Sequence, residues 1–413
     1  MVALCSSPSG AAESLKTKPT PIQHVVVIVQ ENRSFNSLFN GYPGAVTVTE
    51  GLDSTGHTVV LSQVGLADTA AIGHGSADFL SAWDNGKMDG FDLEEGAGPP
   101  GYGSYEYVPK REVAPYWAMA AQYALNDNTF SSQLDDSFEA HQYLIAAQAQ
   151  SSVDSPIRQW GCSDDPSDIV NTLTQLRTYG PVQAPCFDYT TLADELDAKY
   201  LTWRFYAPAI RDEGIWSAYQ AINHIYQGGN GAQWLANVIS PETGVLTLAP
   251  NGILPSVTWV VPDWANSDHP GNSSATGPSW VTSVVNTIGE SSYWSSTVIF
   301  VLWDDWGGAY DPVPPPQLDY DGLGIRIPLL CISPYAVKGR VMHQQLETAS
   351  IPRFIEDNFG LPQMAASDRR ARSAGAGCLD FKQTPRAFVP ISADYPAAHF
   401  IQERPSGTAP DDD

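Results

Sequence analysis

Apolar positions in this chain fall into short unbroken runs rather than strict alternation. The clearest is His24-Val25-Val26-Val27-Ile28-Val29-Gln30; others cover residues 201–206, 257–262, 296–303 and 325–333. Each is too short for a membrane span and rich in β-branched and aromatic residues. Such runs read as strands buried on both faces, the mark of a parallel sheet. Between them, apolar spacing and end signals predict a short helix ending at Phe39 and longer ones over 115–125, 137–149, 189–200, 215–226, 280–288 and 351–359. Pro115 suits a first helical turn, Thr190 or Thr191 a cap, and Gly360 a stop. Strands alternating with helices predict an α/β protein, with a mostly parallel central sheet and helices on both faces.

The remainder divides by texture. Residues 1–20 read as a flexible leader, and 21–388 as a single domain. Within it, 41–110 and 150–188 form loop-rich insertions, dense in Gly, Ser, Asp and Pro. Residues 389–413 read as an arm ending in an acidic tail. No apolar run approaches the roughly 20 residues of a membrane helix.

Charge narrows the partners. The chain has 413 residues, with 46 acidic side chains against 21 Lys and Arg, a net charge of −25. Nucleic acid and anionic membranes require a basic face, so both are excluded as partners. An anionic substrate would need positive charge concentrated locally, as a metal ion supplies it. The five cysteines form no CxxC pair. Cys162 and Cys186 lie in one turn-rich insertion, which suits a disulfide and export to an oxidising compartment, secreted or periplasmic. Cys331 falls inside an apolar run and reads as a buried thiol.

Three of the predicted strands end in hard ligands. His24–Gln30 runs into Glu31-Asn32, the 257–262 run leads to Asp268-His269, and the 296–303 run ends in Asp304-Asp305-Trp306-Gly307-Gly308. Ligands of open α/β sheets bind beyond the carboxyl ends of strands. Oxygen donors of this kind suit one divalent ion: Ca²⁺, Mg²⁺, Mn²⁺ or Zn²⁺. Ser137 opens a predicted helix, whose amino end favours anions, and His141 lies on the same face. Ser137 is thus a candidate nucleophile toward phosphorus, although a serine here also serves as an N-cap. His269 is a candidate general acid, with Asp268 expected to raise its pKa. His74 lies beside the same candidate site. No G-x-S-x-G elbow or G-x-x-x-x-G-K-[ST] loop is present, which disfavours an ordinary serine hydrolase and nucleotide triphosphates.

Several segments occur in a telling order: Glu31-Asn32-Arg33-Ser34-Phe35, Gly86-Lys87-Met88-Asp89-Gly90-Phe91, Ser137-Phe138-Glu139-Ala140-His141-Gln142, Asp268-His269-Pro270 and Asp304-Asp305-Trp306-Gly307-Gly308. Tyr310-Asp311-Pro312 and Ser333-Pro334-Tyr335-Ala336 complete the set. Together they resemble the bacterial phosphoesterase family of phospholipases C and acid phosphatases, in the alkaline-phosphatase-like superfamily. The resemblance implies a metal held by Glu31, Asn32, Asp304, Asp305 and Ser137, with Ser137 as nucleophile. It also implies that His74, His141 and His269 bind phosphate or move protons, with Lys87 and Asp268 near the substrate. The chain departs from the family pattern at Asn36, Asp305, Pro312 and Asp135-Asp136. The implied activity is metal-dependent hydrolysis of a phosphate monoester or phospholipid through a phosphoserine. The alternative is a non-catalytic metal- or phosphate-binding surface protein.

Overall fold

The structure is a computed structural model that describes residues 20–98, 102–210, 216–248, 251–252 and 254–404. Most of the predicted leader and the acidic tail lie outside these residues.

Nine strands form the main sheet: β1 (His24–Gln30), β2 (Ala124–Phe130), β3 (Trp203–Tyr206), β4 (Val238–Ile239), β5 (Val257–Val260), β6 (Thr297–Trp303), β7 (Arg326–Ile332), β8 (Arg340–Met342) and β9 (Leu346–Glu347). Their order is β4-β3-β5-β1-β6-β7-β2-β8, with β9 also on β2. All pairs are parallel except those of β7, which runs against both β6 and β2.

The unbroken apolar runs are explained by cover on both faces. Along β1, Val25, Val27 and Val29 enter one core and Val26 and Ile28 the other, the period of two that a strand imposes. One core takes residues from α4 (Ser137–Ala146), α5 (Leu192–Ala198) and α7 (Ser350–Phe359). The other takes α1 (Phe35–Phe39), α3 (Ala114–Gln122) and α6 (Gly277–Gly289). The arm beyond residue 389 packs on the second side, with Phe400 edge-on to Trp280 at 5.5 Å.

Several expectations need correction. The loop expected from Asn126 is instead strand β2, whose polar side chains are held by hydrogen bonds: Asn126 Nδ2 donates to the Gln344 carbonyl at 3.0 Å. The first insertion contains helix α2 (Ser76–Trp83), and the second a hairpin of Ser152–Ile157 against Ile169–Thr172. No continuous helix runs to Tyr226: a 3₁₀ turn at Ala218–Ala221 precedes a single turn at Asn223–Tyr226. Cys331 is not a free thiol, because it is bonded to Cys378. The expected Cys162–Cys186 bridge is present.

The bridges span sequence separations of 24 and 47 residues. By chain entropy they stabilise the fold by roughly 3 and 4 kcal/mol. Non-reducing peptide mapping of the oxidised protein will recover both pairs. A free thiol at Cys331 would contradict the second.

Candidate active site

The site is built by strand register. Gln30 of β1 lies level with Trp303 of β6, so the two chains leave the sheet side by side. Glu31-Asn32 and Asp304-Asp305 therefore emerge as neighbours. Asp304 N donates to the Gln30 carbonyl at 3.0 Å, and Arg33 N to the Asp305 carbonyl at 3.0 Å. Asn32 has φ +54°, a left-handed conformation that costs a non-glycine residue energy. Its amide N–H holds it there by donating to Asp304 Oδ1 at 2.9 Å. Gly307, at φ +56°, allows the chain to pass close: a Cβ there would lie 2.3 Å from the Asn32 carbonyl oxygen.

Strand β2 ends at the same edge and leads through residues 131–136 into α4. Asp136 caps that helix, accepting from Ser137 N at 2.7 Å. The serine Oγ then lies 3.1 Å from Asp305 Oδ2 and 3.2 Å from Asn32 Oδ1. One turn on, His141 Nε2 sits 3.1 Å from Glu31 Oε1 and 3.7 Å from Asp304 Oδ2. His74 and His269 approach from the other side, their Nε2 atoms 3.0 and 2.9 Å from Asn32 Nδ2. Sequence order alone did not separate the histidines in this way. His74 also reaches Asp305 Oδ2 at 3.7 Å. All these side chains are buried.

The geometry leaves two expected site residues outside the cluster. Lys87 is largely exposed and pairs with Asp84. Asp268 is buried but turned away, at φ +70°: its Oδ2 accepts from Tyr116 at 2.6 Å and Trp303 Nε1 at 3.3 Å. It therefore does not raise the pKa of His269. Burial against Trp216 and Trp264 pushes that ring down to about 3 instead. Two contributors went unread in the sequence. Asp136 joins His74 and Asp305 in a buried group. Arg33 anchors the turn before His269, donating from Nε to the Asp268 carbonyl at 2.7 Å.

The donors fit a cation. Glu31, His141 and Asp304 each offer one ligand atom within 4.8 Å of the others, and so do His74, Asp136 and Asp305. Asp304 Oδ2 has no hydrogen-bond partner. The Asn32 amide gives the sharper test. Its oxygen faces the carboxylates, acceptor against acceptor. Turned over, its nitrogen would donate to Asp304, Glu31 and Ser137, each at 3.2 Å, and its oxygen would accept from both imidazoles. That arrangement requires two doubly protonated rings, because each Nδ1 already donates to a carbonyl, His74 to Ile72 at 2.9 Å and His269 to Pro270 at 2.6 Å. Burial opposes imidazolium at His269. The oxygen therefore stays toward the carboxylates, and a cation among them resolves the conflict.

This is the catalytic edge of an α/β hydrolytic fold that gathers a serine, hard oxygen donors and imidazoles. The phosphoesterase family profile matches residues 22–362, and the chain belongs to that family. It is 24% identical to phospholipase C B of two Mycobacterium tuberculosis strains, over 94% of this chain and 82% of theirs. It is also 24% identical to hemolytic phospholipase C of Pseudomonas aeruginosa, over 86% of this chain and 55% of that one. A structure of an alkaline phosphatase superfamily protein from Vibrio parahaemolyticus overlays with a TM-score of 0.38 at 11% identity, covering 84% of this chain and 69% of that one. The protein is a hydrolase acting on phosphate esters.

Burial, reinforced by neighbouring carboxylates, pushes Glu31 and Asp304 up to about 8 and Asp305 to about 7. Between the ordinary carboxylate range and these values the metal-free native state binds more protons than the unfolded chain. Its stability contribution from these groups therefore falls as pH rises toward 8. A divalent ion favours the ionised forms and offsets that loss. Calorimetry at pH 5 and pH 8, with chelator or added divalent ion, will show the metal-induced rise in Tm growing with pH. A rise that shrinks with pH would contradict the placement of a cation among these groups.

Proposed function

We propose that the chain hydrolyses phosphate esters through a phosphoserine on Ser137, with one divalent ion (Ca²⁺, Mg²⁺, Mn²⁺ or Zn²⁺) held by Glu31, Asn32, Asp304, Asp305 and the Ser137 hydroxyl. The observation that carries this reading is the Ser137 Oγ, 3.1 Å from Asp305 Oδ2 and 3.2 Å from Asn32 Oδ1 at the amino end of a helix. When bound, the ion supplies positive charge that lowers the hydroxyl's pKa and stabilises charge on the transferring phosphoryl group. Asp305 and Asn32 orient the hydroxyl for attack. The first-turn amides of α4 add favourable dipoles for an anion. Ser137 attacks phosphorus and the alcohol leaves; water then releases phosphate from the serine.

His74 and His269 face the phosphate side of Asn32. A phosphate group brought against their Nε2 atoms supplies the negative charge that burial denies them. The rings then gain protons as substrate binds, and His269 donates one to the leaving oxygen. Substrate thus does what Asp268 does not. His141 stays with the metal carboxylates. Two disulfides support an exported, secreted or periplasmic setting. Among the described residues no helix is long and apolar enough to cross a membrane. The phospholipase C relatives favour a phospholipid over a phosphomonoester as substrate.

Two predictions test these roles. Ser137→Ala will abolish turnover with the fold and at least part of the metal retained, and rapid acid quench of the wild type will trap phosphate on Ser137. Near-normal turnover in the alanine variant would remove the nucleophile. His269→Ala will lose about 10²–10⁴-fold more activity on alkyl phosphates than on p-nitrophenyl phosphate, whose leaving group hardly needs a proton. Equal losses would withdraw the acid role.

A further inference from the structure

The catalytic cluster opens to solvent through a cleft of about 630 Å³. His74, Asp136, Asp154 and Ser155 line it, as do Asp78 and Glu95. None of its lining residues is Lys or Arg. Tyr179, from the second insertion, forms part of the wall, its hydroxyl 3.3 Å from Ser76 Oγ.

The rim carries apolar side chains with nothing over them. Leu176 stands at the tip of a tight turn closed by Thr174 N donating to the Thr178 carbonyl at 2.9 Å, and it is 86% exposed. Val182, three residues past Tyr179, is 52% exposed, and Ile157, on the strand that supplies Asp154 and Ser155, is 53% exposed. Leu93, two residues before Glu95, is 59% exposed. These segments are fixed to one support, the helix α2. Leu93 closes a 3₁₀ turn that starts beside it: a Cβ on Gly90 would lie 1.9 Å from the Ser81 carbonyl oxygen. The Leu176 turn reaches its far end, where the Arg177 guanidinium lies 5.4 Å from the Trp83 ring. That guanidinium is occupied by the Tyr320 carbonyl at 2.8 Å and by Gln317. The rim is therefore apolar and held by packed structure, around an acidic opening.

Scattered exposed apolar residues need no explanation, but a set gathered around one functional opening marks a contact surface. Its charge selects the occupant. An acidic mouth in a chain of net charge −25 is repelled by anionic lipid and compatible with a zwitterionic surface whose outermost groups are cationic. We propose that Leu93, Ile157, Leu176 and Val182 form an interfacial surface that seats the mouth of the site on a zwitterionic phospholipid bilayer. Apolar tips enter the headgroup boundary while the carboxylates face the ammonium groups. The proposal rests on the phospholipid branch of the function above, and it has its own readout.

The test uses the oxidised full-length chain and sucrose-loaded vesicles of phosphatidylcholine, with or without phosphatidylglycerol. Sedimentation measures binding and does not depend on turnover; hydrolysis of soluble p-nitrophenylphosphorylcholine is followed in parallel. The wild type should sediment with phosphatidylcholine vesicles, and more weakly once phosphatidylglycerol is added. The Leu93→Gln/Leu176→Gln variant should bind vesicles at least tenfold more weakly and keep soluble hydrolysis within twofold. The surface is overturned if the wild type stays in solution, if the variant sediments like the wild type, or if both readouts fall together. Tighter binding to phosphatidylglycerol vesicles would equally overturn it, as would a dimer formed through this face with no vesicle binding. Vesicle binding lost in the variant, in a protein that hydrolyses no ester, would uphold the surface and remove the catalytic reading.

Discussion

Three carboxylates and an amide oxygen are buried together at the ends of two parallel strands. Everything around them exists to tolerate or exploit that crowding. Like charges in a dry site repel strongly, and each group would take up a proton rather than ionise beside the others. The register of Gln30 with Trp303 forces the arrangement, because it delivers Glu31-Asn32 and Asp304-Asp305 to one point. The left-handed backbone at Asn32 and the glycine at 307 let the two chains cross there. The protein itself supplies no Lys or Arg to either ligand group, only His141 and His74. A divalent ion supplies the missing charge, and the serine at the head of α4 then lies within its reach.

The parts of the sequence that could be read were those where local chemistry and tertiary role agree. Val25–Val29 and the run before Asp304 are strands by composition, and they are buried strands in the sheet. The ligands were legible because they end such runs. Strand β2 was not, because its Asn126-Asp127-Asn128 stretch carries turn chemistry that distant groups satisfy. Asn128 Nδ2 donates to the His343 carbonyl at 3.0 Å, and His343 Nδ1 meets Asp127 Oδ1 at 2.8 Å. These partners lie more than 200 residues away in sequence.

Site membership failed for similar reasons. Lys87 shares a family-like segment with site residues, but a salt bridge three residues back holds it at the surface. Asp268 precedes His269, yet a positive φ sends its carboxylate to Tyr116 and Trp303. Adjacency in sequence says little about where two side chains point. The Cys331–Cys378 bridge joins a strand to a segment 47 residues on, a pairing that spacing cannot reveal.

Anomalous diffraction at the manganese edge, from crystals soaked in Mn²⁺, tests the central claim most directly. One peak should appear within about 2.0–2.6 Å of the Asn32 amide oxygen and of oxygens from Glu31, Asp304 and Asp305, next to Ser137 Oγ. No peak among these groups, or an Asn32 amide with its nitrogen turned toward the carboxylates, would contradict the account.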